Sequence, residues 1–136
     1  MLAIQSLSRI VVNYSVPIPM LPPDYNQTLL IVFLGIRDTE KDLDALFDLE
    51  IRMHDLVDDG NLGMVDGNEI DLGESPNFVD FTIFLYTSNA QKLLILITPL
   101  LKTSPFIKKA HAILRNGLHC DRDERAPETR VQLDTL

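Results

Sequence analysis

Acidic side chains and glycines are interleaved over residues 66–74, which read DGNEIDLGE. Such a pattern places oxygen ligands close to a flexible backbone, and hard cations such as Ca²⁺ bind through oxygen ligands. The spacing nevertheless differs from the helix-loop-helix calcium template of alternating acids, a glycine and a distant Glu. The segment therefore favours a solvated acidic hairpin. The alternative is a small metal-dependent enzyme or ligand binder centred on Glu69, Asp71 and Glu74.

Glu69, Glu74 and Asp80 are also candidates for acid and base chemistry, which requires that they meet in a pocket. Asp80 shares one face of a predicted strand with Thr82, and this favours an exposed position over a catalytic one. The predicted interaction or ligand surface consists of Asp66, Glu69, Asp71, Glu74 and Asp80.

No other motif points to chemistry. The phosphate-binding patterns GxGxxG and GxxxxGK[ST] and the nucleophile pattern GxSxG are absent from the sequence. The histidines, His54, His111 and His119, fall in unrelated segments without the spacing of metal ligands. The sequence predicts no catalytic residue, no cofactor and no metal, and the chain is not predicted to be an enzyme.

The charge of the chain is concentrated in its middle third. The net charge is −8, and residues 38–80 hold 14 acids against two bases, a net of −12. An acidic surface repels nucleic-acid phosphates and anionic membranes, so neither is predicted as a partner. A basic protein is the natural complement.

Cys120 is the only cysteine, so no disulfide forms within the chain and a cytoplasmic location is predicted. The most apolar later stretch, residues 93–101, is much shorter than the roughly 20 residues that span a bilayer.

Two segments predict the central strands that must position these groups. Residues 28–36 (TLLIVFLGI) form an apolar, β-branched run typical of a buried strand. Residues 78–86 (FVDFTIFLY) alternate, and the face with Val79, Phe81, Ile83 and Leu85 is predicted to face the core.

Helices are predicted between and after these strands. Residues 39–58 carry apolar side chains at helical spacing behind a cap at Asp38 or Thr39. A second helix follows a cap at Ser88 or Asn89, and Pro99 predicts a kink or an early end. Residues 62–74 predict an interrupted strand or a hairpin that turns at Asp66-Gly67.

The remaining segments complete an α+β fold. Residues 110–115 predict a returning strand and residues 130–133 a short edge strand. The order of elements predicts a ferredoxin-like, split β-α-β sandwich: an antiparallel sheet with both helices on one face. Residues 24–117 form the predicted domain, residues 1–23 an N-terminal strand or Pro-rich extension, and residues 118–136 a charged tail.

Four short segments also resemble a family of small uncharacterised bacterial proteins. They are residues 65–69 with a DGxE-like turn, 84–90 with a strand ending in a Tyr-Gly-like corner, 93–101 with a central Pro-Leu, and 114–117 ending Arg-x-Gly. Here the corner is Tyr86-Thr87, and the glycine-rich run after the turn is reduced to Gly73. The resemblance implies the same fold and a bacterial origin, and it implies no activity.

The leading functional expectation is a non-enzymatic binding protein that contacts another protein, or a second copy of itself as a dimer, through its acidic surface or a sheet edge. A specific form of this hypothesis is an immunity-type inhibitor that masks the basic site of a toxin.

Overall fold

The computed structural model describes residues 21–118 and 127–135. In chain order they form β1 (Gln27–Arg37), α1 (Glu40–Gly60), β2 (Gly63–Leu72), β3 (Phe78–Thr87), α2 (Ala90–Leu101), β4 (Ala110–Arg115) and β5 (Glu128–Gln132), with 3₁₀ turns at Ile107–Lys109 and Leu133–Thr135. The predictions for residues 1–20 and 119–126 lie outside these ranges.

The five strands form one antiparallel sheet in the order β2-β3-β1-β4-β5. Strand β3 lies between β1 and β2, and β1 lies between β3 and β4, so two split β-α-β units interleave. The helices contact each other and share one hydrophobic core with the sheet. The predicted α+β class, with two helices and an antiparallel sheet, is therefore confirmed.

The core lies where the helices cover the two central strands. Ile31 of β1 is opposite Ile83 of β3, and Phe33 is opposite Phe81; all four side chains are fully buried. The alternation predicted for β3 is also confirmed, because Val79, Phe81, Ile83 and Leu85 are its core-facing residues. We call the opposite side of the sheet the open face, because neither α1 nor α2 covers it.

Both helices begin after capping side chains that were predicted from the sequence. Thr39 Oγ1 accepts the backbone N–H of Asp42 at 3.3 Å, and Asn89 Oδ1 accepts that of Lys92 at 3.1 Å. Helix α1 ends at Asn61, whose φ of 52° is the left-handed conformation that Asn tolerates. Helix α2 continues two residues past Pro99, which lacks the N–H that would donate to the carbonyl of Ile95.

The prediction for β2 was partly wrong. Residues 63–72 form one continuous strand, and the chain turns at residues 73–77 and not at Asp66-Gly67. The Asp66-Gly67 pair that predicted a turn instead belongs to a β-bulge between Val65 and Gly67, where one extra residue interrupts the register with β3. A glycine within a strand marks a bulge as readily as a turn.

Among the described residues, the sheet ends in β2 on one side and β5 on the other. Strand β5 covers Glu128–Gln132, so the predicted edge strand exists but begins two residues earlier. Neither described helix has both the length and the apolar character needed to cross a bilayer.

Candidate functional site

Acidic side chains form a stripe along the solvent face of α1. At 100° per residue, Asp44, Asp48, Asp55 and Asp59 fall on one side of the helix, and all four are exposed. The buried residues of α1 occupy the other side; they are Leu46, Leu49, Met53 and Val57. The residues that carry much of the charge are thus held on the outside by the packing of the helix.

An apolar side chain interrupts this acidic stripe. Ile51 is 62% exposed, and it lies three residues after Asp48 and four residues before Asp55. Positions three and four apart are neighbours on a helix surface, so aspartates flank Ile51 on both sides. We call Ile51 and these four aspartates the α1 surface.

Little within the described residues neutralises the charge on α1. Arg52 pairs with Asp48 at 2.7 Å and His54 with Asp58 at 3.1 Å, and each partner is more than half exposed. Exposed pairs of this kind stabilise a protein by at most about 1 kcal/mol. Asp58 and Asp59 also lie in the last turn, which has no basic residue, and the helix dipole disfavours acids there. Helix stability therefore does not account for this charge.

Three of the predicted acids, Glu69, Asp71 and Asp80, lie together on the open face of β2 and β3. Glu69 is opposite Thr82 of β3. Asp71 is opposite Asp80, so the carboxylates of these two aspartates face each other directly across the strands. Burial raises the pKa of Glu69, and the neighbouring charge of Asp71 and a hydrogen bond with Asp71 raise this pKa further. Like charges opposite each other are unfavourable in a sheet, and a cation at this edge would relieve them.

Asp80 has a structural partner. Its Oδ1 accepts the backbone N–H of Gly35 at 3.0 Å, at a bulge of β1 where Gly35 has a φ of 65°. The Nζ of Lys109 donates to the carbonyl of the same glycine at 2.9 Å. Asp80 thus fixes an irregularity of the central strand.

The other two predicted acids lie towards opposite ends of β2, and only Glu74 shares a depression with Asp80. Asp66 is 8% exposed at the bulge of β2, whereas Glu74 is exposed in the turn before β3. Glu74 and Asp80 both line a depression of about 380 Å³. Within residues 21–118 and 127–135, no three His, Cys, Asp or Glu side chains are placed to hold a metal ion.

One polar pair was missed from the sequence. The Nδ2 of Asn68 on β2 donates to Oε1 of Glu50 on α1 at 2.7 Å, and Asn68 is 5% exposed. Burial raises the pKa of Glu50, which the hydrogen bond with Asn68 and the charge of His54 partly offset. The available signal was the position of Glu50, four residues after Leu46 and three before Met53, within the apolar stripe of α1.

The larger groove lies elsewhere, between α2 and the last two strands. It measures about 840 Å³, and its apolar wall includes Leu94, Ile95 and Pro99 of α2, Leu114 of β4 and Val131 of β5. None of the five acids predicted as a site lines it.

Comparison with known proteins does not identify a family for this chain or a function for these surfaces. No family model matches the chain, and neither a curated protein nor a solved structure matches it. The resemblance to small bacterial proteins therefore remains a prediction.

Proposed function

We propose that the chain is a small acidic binding protein that acts through contact with a basic protein partner, and that the α1 surface makes this contact. The observation that supports the proposal most is the exposed Ile51 between aspartates. Protein interfaces commonly combine an apolar anchor, from which water is excluded, with a charged rim that stays solvated. Ile51 and the four aspartates have this arrangement.

Charge supports a basic partner over a second copy of the chain. Two α1 surfaces brought together would place aspartates against aspartates, and such like-charge contact opposes binding. A basic partner would instead be attracted over a distance of about 10 Å at moderate salt, and its association would slow as salt is added.

A more specific form of the proposal concerns the class of partner. An immunity-type inhibitor uses an acidic surface to mask the basic site of a toxin, and the α1 surface has the sign and the apolar anchor that this role needs. The single cysteine supports a reducing compartment, so we propose that this contact forms in the cytoplasm.

The test is affinity capture of the tagged full chain from lysate of its source, at low and at high salt, with mass spectrometry of the retained proteins. We expect one basic protein in stoichiometric amount, retained at low salt and released at high salt.

An Ile51→Ser variant should bind the purified partner at least about tenfold more weakly, which corresponds to about 1.4 kcal/mol. Because Ile51 is exposed, this variant should keep the melting temperature of the wild type.

A matched pair of variants separates the α1 surface from net charge. Asp44→Asn with Asp55→Asn removes two charges from the α1 surface, and Asp24→Asn with Asp134→Asn removes two exposed charges elsewhere. The first pair should weaken binding several-fold more than the second. Equal effects of the two pairs, or a partner retained equally at all salt concentrations, would contradict the proposal.

A further inference from the structure

The edge of the sheet beside α1 is open among the described residues. Strand β2 pairs with β3 on one side, and no strand within residues 21–118 or 127–135 pairs with its other side. Proteins usually protect such an edge with Lys, Pro, a bulge or a very short strand. Past the bulge at Val65 and Gly67, residues 68–72 contain neither Lys nor Pro.

The register shows which backbone groups this edge presents. The N–H of Gly73 donates to the carbonyl of Phe78 at 2.9 Å, so Gly73 points its backbone groups at β3. Backbone direction alternates along a strand of an antiparallel pair. Glu69 and Asp71 therefore also point their backbone groups at β3, whereas those of Ile70 and Leu72 point away from the sheet.

The acidic and the apolar side chains of this edge lie on different faces of the sheet. Glu69 and Asp71 lie on the open face, and the raised pKa of Glu69 accompanies their proximity. Ile70 and Leu72 lie on the helix side, opposite Phe81 and Val79, and Leu72 is 86% exposed. One face of the edge is therefore acidic and the other is apolar.

We infer that β2 binds an extended segment of the partner as a sixth strand, and that this segment alternates basic and apolar residues. Its basic side chains would lie beside Glu69 and Asp71 on the open face, and its apolar side chains would cover Leu72 and the outer side of Ile70. Side chains of adjacent strands on the same face are in contact, so the alternation of β2 selects the alternation of its neighbour. This inference rests on the proposed function and specifies how the basic partner is recognised.

The opposite edge does not offer the same complement. Strand β5 carries Glu128 and Arg130, charges of both signs, and Glu128 already pairs with Arg115 at 3.2 Å. A strand that alternates basic and apolar residues therefore fits β2 better than β5.

The test uses a capped ten-residue peptide of alternating Lys and Val, and a control peptide of the same composition in the order KKVVKKVVKV. Titration calorimetry with the full chain should show the alternating peptide binding about tenfold tighter, because only it can place a Lys beside both Glu69 and Asp71 while a Val lies beside both Ile70 and Leu72. Amide hydrogen exchange by NMR should show slower exchange at Ile70 and Leu72 in the complex, whereas Glu69 and Asp71 change little.

A proline substitution tests the backbone separately. Leu72→Pro removes an outward N–H without removing a hydrogen bond to β3, and Leu72→Ala removes most of the side chain but keeps that N–H. Both variants should weaken peptide binding, the proline variant more. Equal binding of the two peptides, or binding without protection at Ile70 and Leu72, would overturn strand addition.

These outcomes are distinguishable from failure of the proposed function. One outcome is that the basic partner binds, and binds more weakly to the Ile51→Ser variant, while the β2 amides stay unprotected from hydrogen exchange in the complex. That outcome would support the proposed contact at the α1 surface and contradict strand addition. If neither the partner nor the alternating peptide binds, both fail.

Discussion

Asn68 on β2 donates a hydrogen bond of 2.7 Å to the carboxylate of Glu50 on α1, and this polar pair joins the acidic helix to the edge strand. The Oδ1 of the same amide is buried without a hydrogen-bond partner within the described residues. A partly satisfied polar pair stabilises a core less than an apolar contact but is costly to break. The two elements that carry the proposed contacts are thus held together by a pair that is sensitive to pH and to substitution.

Removing the carboxylate of Glu50 should therefore destabilise the fold. Glu50→Leu leaves the buried Nδ2 of Asn68 without its acceptor, and we expect the free energy of unfolding to fall by about 1–3 kcal/mol in urea titrations at pH 7. Glu50→Gln supplies an amide oxygen as acceptor and should lose much less. Equal losses for the two variants would show that the hydrogen bond contributes nothing.

The ionisation of Glu50 makes a second, pH-dependent prediction. Its pKa in the folded state is raised above the ordinary value of 4.5, so its protonated form stabilises the fold below pH 4.5, and this stabilisation is lost as the pH rises through the folded-state pKa. Glu50→Gln does not ionise, so its stability relative to wild type should increase from pH 4 to pH 7. Urea titrations at both values check this, and a constant difference would contradict it.

The pKa of Glu69 should depend on Asp71. Asp71→Asn removes the negative charge that helps to keep this pKa high, so the pKa should fall toward its ordinary value, although burial of Glu69 persists. NMR titration of the Glu69 side-chain carboxyl measures the change. Asp134→Asn, at the other end of the sheet, is the control and should leave the titration of Glu69 unaltered.

Two glycines close to each other in sequence should differ in their tolerance of alanine. A Cβ at Gly63 would lie 2.8 Å from the carbonyl oxygen of Tyr86, a backbone atom that cannot move without disturbing the sheet. We expect Gly63→Ala to lower the free energy of unfolding by about 1–3 kcal/mol. A Cβ at Gly60 would meet the flexible side chain of Leu96, whose Cδ2 is the nearest atom at 2.7 Å. Thermal melting should therefore show a clearly smaller change for Gly60→Ala.

The bulge at Gly35 offers a test of the role assigned to Asp80. Asp80→Ala removes the acceptor for the Gly35 N–H and should lower stability by about 1–2 kcal/mol. Gly35→Ala meets no steric obstacle, so its cost should be that of the positive φ alone, about 1–2 kcal/mol. Gly35→Asn should cost less, since Asn adopts this conformation more readily. If Asp80→Ala leaves the melting temperature unchanged, Asp80 has no structural role.

The parts of the fold that were predicted are those with a strong local pattern. The alternation of β3 and the helical spacing of α1 each determine which side is buried, whatever the rest of the chain does. Strand β2 was harder, because Gly63, Gly67 and Gly73 weaken the pattern and a bulge changes the phase of its alternation. A local pattern cannot distinguish a bulge from a turn when both use glycine.

The candidate site was predicted less completely than the fold. The acidity of the region follows from counting, but the placement of Glu69, Asp71 and Asp80 on one face of neighbouring strands depends on strand register. The contact between Glu50 and Asn68 joins residues 18 positions apart through packing of α1 on β2. The exposure of Ile51 was overlooked although the helical spacing of α1 contains it, because the spacing that buries Leu46, Met53 and Val57 places Ile51 on the opposite side.

The central position of β1 has a consequence for the order in which the protein acquires its structure during synthesis. Thr28 pairs with Tyr86 and with Arg115, so β1 obtains its two neighbours only after much of the later chain has left the ribosome. Until then the run TLLIVFLGI lacks both of these neighbours and is a strongly apolar segment of the nascent chain. Non-local strand pairing is slow, and segments exposed in the meantime are the ones that aggregate or recruit chaperones. The yield of native protein in cells should therefore depend on holding this one segment soluble until β4 is made.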